Sequence, residues 1–397
     1  MYFLRFKGLG SSSPPCFLPL NPLCYKHKLS YNQERQMNME IFEYLKEMAV
    51  QHGPSGHEYE VAEWFKSKFE PLCDSVTIDA LFNVIALKKA NRPTKDGSPA
   101  PKVLLAAHQD EIALMVEDIL EDGTLRMGNV GSVDPRILPA STVTVHARSA
   151  EGGYRKLLGI VGALPPHLQT AADSERNYQR EELFVDLGLP AEKVKADVKV
   201  GDLITLNGPA TRLLNDRCAA KTMDDRACVG ALLEAAERLQ TMTHACDIYF
   251  VATSQEEVGA GGVTVAAYTI DPDMAVALDV SHATLPSSRP DTTIPLDAPA
   301  VTVGPYLQYK LVNRMRETAK AHGVKLNAET ASRRTFTDAD QLQIARCGIP
   351  TVLIDIPLKY MHTSVEVLDM SVIRESGRLL AHFLTEIDEG WDSELWI

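Results

Sequence analysis

The chain has 397 residues, 45% of them hydrophobic and 23% charged, with a net charge of -13. That is long enough for two domains with a sizeable core, and the acidic balance argues against a nucleic-acid or anionic-membrane surface. Seven cysteines form no CxxC pair, which indicates neither a zinc knuckle nor a disulfide framework and fits a reducing, cytoplasmic setting; no apolar run approaches the ~20 residues needed to span a bilayer.

Residues 1–36 set Arg5, Lys7, Lys26, Lys28 and Arg35 against Glu34 alone, and they show no helical or strand period. A disordered extension over 1–38 is expected. A transit peptide and a start at Met37 or Met39 both stay open. Ile41, Tyr44, Leu45 and Met48 then recur at helical spacing and predict a helix over 39–52, broken by Gly53-Pro54-Ser55-Gly56. Val61, Ala62, Phe65 and Phe69 mark a second helix. Strands are expected at Val76-Thr77-Ile78, Val84 to Leu87 and Lys102 to Ala107, with His108-Gln109-Asp110 at the end of the last.

From 112 to 209 short alternating segments are punctuated by Gly and Pro, at Ile112 to Val116, Thr142 to Val145, Leu157 to Val161 and Asp202 to Leu206. They predict a small β-rich domain inserted into an α/β one, the latter formed by 39–111 and 210–397. The insert is expected to touch the site only through its two connections. Met223-Asp224-Asp225-Arg226 opens a helix carrying Val229, Leu232, Leu233, Ala236 and Leu239 on one face. The apolar run Ile248 to Ala252 reads as a buried strand, followed at once by Ser254-Gln255-Glu256-Glu257-Val258-Gly259. Met274 to Leu278 is another strand, with Asp279 at its end. A helix over 307–322, a strand Thr351 to Ile356 with His362 beyond it, and a helix from Ser371 to 388 complete the chain.

Four expected strands thus lead into a metal-competent side chain: His108, Glu257, Asp279 and His362. Asp224 opens a helix. Parallel strands bring their C-terminal ends to one edge, where ligands bind in open α/β sheets. Two imidazoles and three carboxylates suit Zn, Co or Mn better than Mg or Ca. One ion would need three or four ligands, whereas five with one bridging carboxylate would hold two ions about 3.5–4 Å apart. Glu256 would stay free to take a proton. Each residue also has a plain explanation: acids belong in a first helical turn, His is often half-buried, and Glu is mostly exposed. Their joint placement is what departs from chance.

The order His-x-Asp, Asp-Asp-Arg, Glu-Glu, Asp, His resembles that of cocatalytic metallopeptidases. With the insert between His108 and Asp224, the chain is similar to the glutamyl and deblocking aminopeptidases of peptidase family forty-two, the tetrahedral aminopeptidases. His108-Gln109-Asp110-Glu111-Ile112, Val133-Asp134-Pro135-Arg136, Pro165-Pro166-His167-Leu168 and Lys221-Thr222-Met223-Asp224-Asp225-Arg226 carry the likeness. So do Gln255 to Gly259, Thr337-Asp338-Ala339 and Tyr360 to Val367.

The resemblance implies a mixed-sheet α/β/α metallopeptidase domain with a β-rich dimerisation insert. It also implies an aminopeptidase with two divalent metal ions per subunit (Zn or Co, or Mn). His108 and Asp279 would bind one ion, Glu257 and His362 the other, and Asp224 would bridge them. Glu256 would be the general base, and Asp110 would orient His108. Peptides are the implied substrates, and a dodecamer built from dimers the implied assembly. The chain departs from the family at Phe82, Ala113, Cys228 and Asp340, where Gly is usual, and at Ala260-Gly261, where Leu-Arg is frequent. None of these is an implied ligand.

Two other functions fit the residues less well. A glycoside hydrolase needs two carboxyls flanking a sugar bond and leaves both histidines and both aspartates without a task. A non-catalytic assembly protein has no use for a free base at Glu256.

Overall fold

The computed structural model describes residues 40–148, 153–169, 176–388, 390–393 and 395. The extension expected over 1–38 lies outside the described residues. Helix α1 (Ile41–Met48) buries Ile41, Tyr44, Leu45 and Met48, and α2 (Tyr59–Phe69) buries Val61, Ala62, Phe65 and Phe69. These are the apolar stripes read from the spacing, since residues three and four apart share a helix face.

The main sheet draws on β1 (Ser75–Ile78), β2 (Val84–Lys88) and β3 (Lys102–His108) before the insert. After the insert it adds five more strands. The insert itself contains β4 (Ala113–Ile119), β5 (Leu125–Val130), β6 (Thr142–Arg148), β7 (Tyr154–Ala163), β8 (Leu183–Asp186), helix α3 (Ala191–Asp197) and β9 (Leu203–Leu206). Its six strands close into a barrel in the order β4-β5-β8-β7-β6-β9. Closure leaves no open sheet edge. Inward residues such as Leu114, Leu125, Val143, Val161, Val185 and Ile204 form a hydrophobic cluster separate from that of the main sheet.

Beyond the barrel, β10 (Thr211–Arg212) and β11 (Arg217–Ala220) lead into helix α4 (Met223–Arg238). Then follow β12 (Asp247–Thr253), α5 (Gly261–Ile270), β13 (Met274–His282), β14 (Ala300–Val303), α6 (Tyr309–Ala321), β15 (Asn327–Thr330) and α7 (Ala339–Leu342). The last elements are β16 (Thr351–Leu358), β17 (Glu366–Asp369) and α8 (Met370–Thr385). The eight-stranded sheet runs β1-β2-β12-β3-β13-β16-β14-β15. Its centre, β12, β3, β13 and β16, is parallel, while β2 pairs antiparallel to β1 and β12 and β14 pairs antiparallel to β16 but parallel to β15. Parallel strands covered on both faces read as continuous apolar runs, and β16 is buried along its whole length. The fold is a mixed-sheet α/β/α domain with a small β-rich unit set into it.

Register decides which side chains meet. Thr253 pairs with His108, so Glu256 and Glu257 follow just beyond the level of His108. Ala277 pairs with Ala106, which brings Asp279, two residues on, level with His108. Asp279 does not end its strand as expected. β13 continues to His282 because Ser281 and His282 keep pairing with Pro357 and Leu358 of β16. At the start of α4, Arg226 is fully buried, and its guanidinium donates to the Gln109 carbonyl at 2.7 Å and the Gln51 carbonyl at 3.0 Å. The Tyr44 hydroxyl donates to the Arg226 carbonyl at 2.6 Å. Together these bonds pin Asp224, two residues earlier, against the end of β3.

Candidate active site

His108 is the last residue of β3, and its backbone N–H donates to Asp225 Oδ2 at 3.0 Å. Its Nε2 lies 3.1 Å from Asp224 Oδ1. The other oxygen of the same carboxylate, Asp224 Oδ2, lies 3.1 Å from His362 Nε2. Glu257 Oε1 is 3.3 Å from that same Nε2. One carboxylate therefore faces two histidines from two sides. The ligand atoms of His108, Asp224 and Asp279 lie within 4.8 Å of one another, as do those of Asp224, Glu257 and His362. Asp224 belongs to both groups. Glu256 belongs to neither, and its Oε2 stands 3.9 Å from His108 Nε2.

Backbone turns hold these side chains. Gln255 takes a left-handed conformation with φ 58°, which redirects the chain from β12 into a turn at Glu256–Val258. Asp110 accepts the Glu256 N–H at 3.1 Å and the Glu257 N–H at 3.2 Å, and Ser55 Oγ donates to it at 2.6 Å. Its Oδ1 is 3.4 Å from His108 Nδ1, longer than a well-formed hydrogen bond. Its shortest contact is thus the Ser55 hydroxyl, followed by the two amides of the Glu pair. Glu58 accepts the Gln255 N–H at 3.0 Å from beneath the turn. Glu366 accepts the His362 N–H at 2.8 Å and the Asp224 N–H at 3.2 Å. Apart from Asp110 beside His108, none of these supporting contacts was read from the sequence. Glu366 lay inside a matching motif, four residues after His362, and that spacing was the one available signal.

The barrel also reaches the site, against the expectation that it touches the ligands only through its connections. His362 Nδ1 donates to the Ser132 carbonyl at 3.1 Å. A carbonyl only accepts, so Nδ1 carries the hydrogen while Nε2 faces the two carboxylates. Gly131, at φ +76°, lets the loop come so close that an added Cβ would lie 3.4 Å from Glu257 Cβ.

The family model for M42 glutamyl aminopeptidase matches residues 88–379. The chain belongs to this family. It is 34% identical over 351 residues to the lysyl aminopeptidase of Pyrococcus furiosus, covering 87% of this chain and 97% of that protein. Among solved structures, an aminopeptidase from the archaeon Desulfurococcus kamchatkensis superposes with a TM-score of 0.82 at 30% identity, covering 90% of this chain and 98% of that one. The Pyrococcus horikoshii TET1 peptidase, which can assemble into a tetrahedron or a large octahedral shell, gives a TM-score of 0.75 at 26% identity, over 88% of this chain and 100% of that one. The motif likeness is therefore correct, and the protein is a hydrolase acting on peptides.

In this aminopeptidase the two candidate ligand groups open onto a cavity of about 520 Å³. Burial pushes the Glu256 carboxyl up to about 9, helped by Asp338, Asp110 and Glu257 and opposed by His108. Burial likewise raises Asp279, with Asp225, Glu256 and Asp224 adding to it. His362 is the mirror case: burial lowers its pKa, but Asp224 and Glu257 win and push it up to about 11. Burial also opposes the charge on His108, and the Asp110 and Asp224 carboxylates overcome it. The site thus holds more carboxylate than the protein's own cations balance. Adding positive charge relieves that surplus. Imidazole and carboxylate donors in this proportion suit a divalent Zn, Co or Mn ion, so the residues present fit the metal dependence of the family.

Phe82, one of the departures from the usual glycine, sits at φ 69°, the left-handed region that favours glycine. Its carbonyl accepts from Gln109 Nε2 at 2.6 Å, next to His108.

Proposed function

We propose that this site removes N-terminal residues from peptides with two divalent ions, zinc or cobalt, or manganese. His108 and Asp279 would hold one ion, Glu257 and His362 the other, and Asp224 would bridge them. The observation that carries this is the Asp224 carboxylate, whose two oxygens each lie 3.1 Å from a different imidazole. Bound ions would polarise the peptide carbonyl and make water nucleophilic near neutral pH. Glu256, outside both groups, accepts a proton from the attacking water at Oε2 and returns it to the leaving amine. Asp110 positions the pair by gripping both amides, and the Ser132 carbonyl fixes the ring orientation of His362.

The barrel, over 112–209, serves as the dimerisation domain, and the subunits build a dodecamer from dimers. Two observations support this: Leu158 and Ile160 are 69% and 54% exposed on the outer face of β7, and the TET1 peptidase assembles into closed particles. No helix among the described residues is long and apolar enough to cross a membrane. Free thiols at Cys73, Cys218, Cys228, Cys246 and Cys347 support a cytoplasmic setting.

The experiment is metal analysis combined with an aminoacyl-nitroanilide assay. About two ions per subunit, with turnover lost to a chelator and restored by zinc or cobalt, is the expected result. Chelator-insensitive turnover would overturn the metal assignment, and cleavage of a glucan instead would favour the glycosidase reading.

A further inference from the structure

The cavity has a second wall beyond the ligands, and its charges are not balanced alike. Asp279 pairs with Asp355, Asp355 with Ala300, and Thr302 with Glu329, across β13, β16, β14 and β15. Residues in register, and residues two apart on one strand, share a sheet face. Asp279, Ser281, Thr302 and Glu329 therefore all point to one side. Two residues of strand carry Ser281 about 7 Å beyond Asp279, and Ser281 Oγ donates to Glu329 Oε1 at 2.8 Å.

Arg334 and Glu329 both line the cavity. Arg334 is already met: its Nε donates to Asp340 Oδ2 at 3.0 Å, and its guanidinium lies 5.5 Å from the Phe336 ring. Glu329 is not. Its Oε2 is buried without a hydrogen-bond partner among the described residues, and no Lys or Arg is among the groups acting on its charge. Burial raises its pKa, while the Ser281 hydroxyl and His282 pull the other way. The terminal torsion of a Glu is soft, so this carboxylate can turn an oxygen toward an arriving donor.

We infer that Glu329 is a specificity-determining residue, selecting peptides whose N-terminal side chain is basic, lysine or arginine. The inference rests on the aminopeptidase reading above. With the scissile bond at the ligand groups, the first side chain enters the wall next to Asp279. A cation on a flexible four-carbon stem, or a guanidinium, then meets Glu329.

The test compares lysyl-, arginyl-, leucyl- and glutamyl-nitroanilides on wild type and Glu329→Gln. Wild type should favour the basic substrates in kcat/KM. The variant should lose that preference by about ten- to a hundredfold, the range of a hydrogen bond to a charged group. Its leucyl activity should stay near wild type, which also reports intact folding. An unchanged lysyl-to-leucyl ratio in the variant, or a wild-type preference for glutamyl or leucyl, overturns the inference and leaves the peptidase reading standing. Thermal shift with lysinamide against leucinamide reads the pocket without turnover. Stabilisation by lysinamide that Glu329→Gln abolishes supports the assignment, and equal shifts from both amides refute it. Inactivity on all four nitroanilides would sink the peptidase reading instead, with the thermal shifts still deciding the pocket.

Discussion

Glu256 stands beside His108 yet belongs to neither candidate ligand group. Glu256→Gln keeps the shape of the side chain and removes the base. Turnover should fall by about 10²–10⁴-fold while metal content by plasma emission stays near wild type. Loss of metal in that variant would show that Glu256 and Glu257 have exchanged roles. His362→Ala and Asp279→Ala should each empty a different site, and Asp224→Ala both, because its carboxylate faces both histidines. Equal loss in all three after dialysis would contradict this division. The residues that converge here could be read from the sequence because each stands at or near a strand end or a helix start. Asp110 was legible beside His108, 3.4 Å away, but not in its hydrogen bonds to the Glu pair. Those bonds come from amides 146 and 147 positions away, and a backbone amide leaves no mark in a sequence pattern. Ser132 and Glu58 were missed for the same reason.

Helices α4 and α8 meet at a glycine. A Cβ on Gly377 would lie 2.5 Å from Glu234 Cγ and 2.9 Å from the Ala231 carbonyl. Gly377→Ala should therefore overpack this contact at a cost of about 1–3 kcal/mol. The thermal midpoint should fall by several degrees while the metal content of the folded protein is kept. An unchanged midpoint would show that the helices separate freely.

The buried Glu111 joins the end of β3 to Lys221 ahead of α4, with Arg226 at 3.3 Å as a second partner. Burial raises the Glu111 carboxyl, but Lys221 and Arg226 win and hold it down at about 2. Burial also pulls Lys221 below its ordinary value. The direct contact and the depressed carboxyl nevertheless mark a charged pair. A carboxylate with a lowered folded pKa stabilises above its unfolded value, near 4.5, and loses that contribution as pH falls toward about 2. The midpoint gap between wild type and Lys221→Met should thus be widest above pH ~4.5 and close on acidification. A gap independent of pH would contradict the ion pair.

At this scale the buried strands β2, β3, β12, β13 and β16 were legible within a few residues, because apolar runs bounded by turns admit few other readings; the short buried strand β14 was not. The edge strand β15, Asn-Ala-Glu-Thr, was not, since its pairing with β14 owes nothing to an apolar pattern. Helix α5 was missed too: Gly261-Gly262 at its start reads as a loop. β5 and β8 escaped because closing a barrel depends on partners far apart in the chain.

For the whole molecule, the separate core of the barrel and its exposed Leu158 and Ile160 lead to a prediction about size. Light scattering on the eluting protein should give a dodecamer, and Leu158→Asp with Ile160→Asp should reduce it to smaller species that still cleave short peptides. A wild-type monomer would refute the assembly and leave the chemistry untouched. A small β-rich unit was legible because short alternating segments between 112 and 209 are punctuated by Gly and Pro, and six strands there close into a barrel. What the outline could not convey is that the Ser132 carbonyl of the barrel grips the His362 ring. With His362 as a metal ligand, as proposed above, that bond would link the barrel to the metal site. If seating the barrel against a neighbour favours the ring orientation that binds metal, then binding metal must favour the seated barrel by the same free energy. Affinity for the ion and affinity between subunits are then two readings of one coupling.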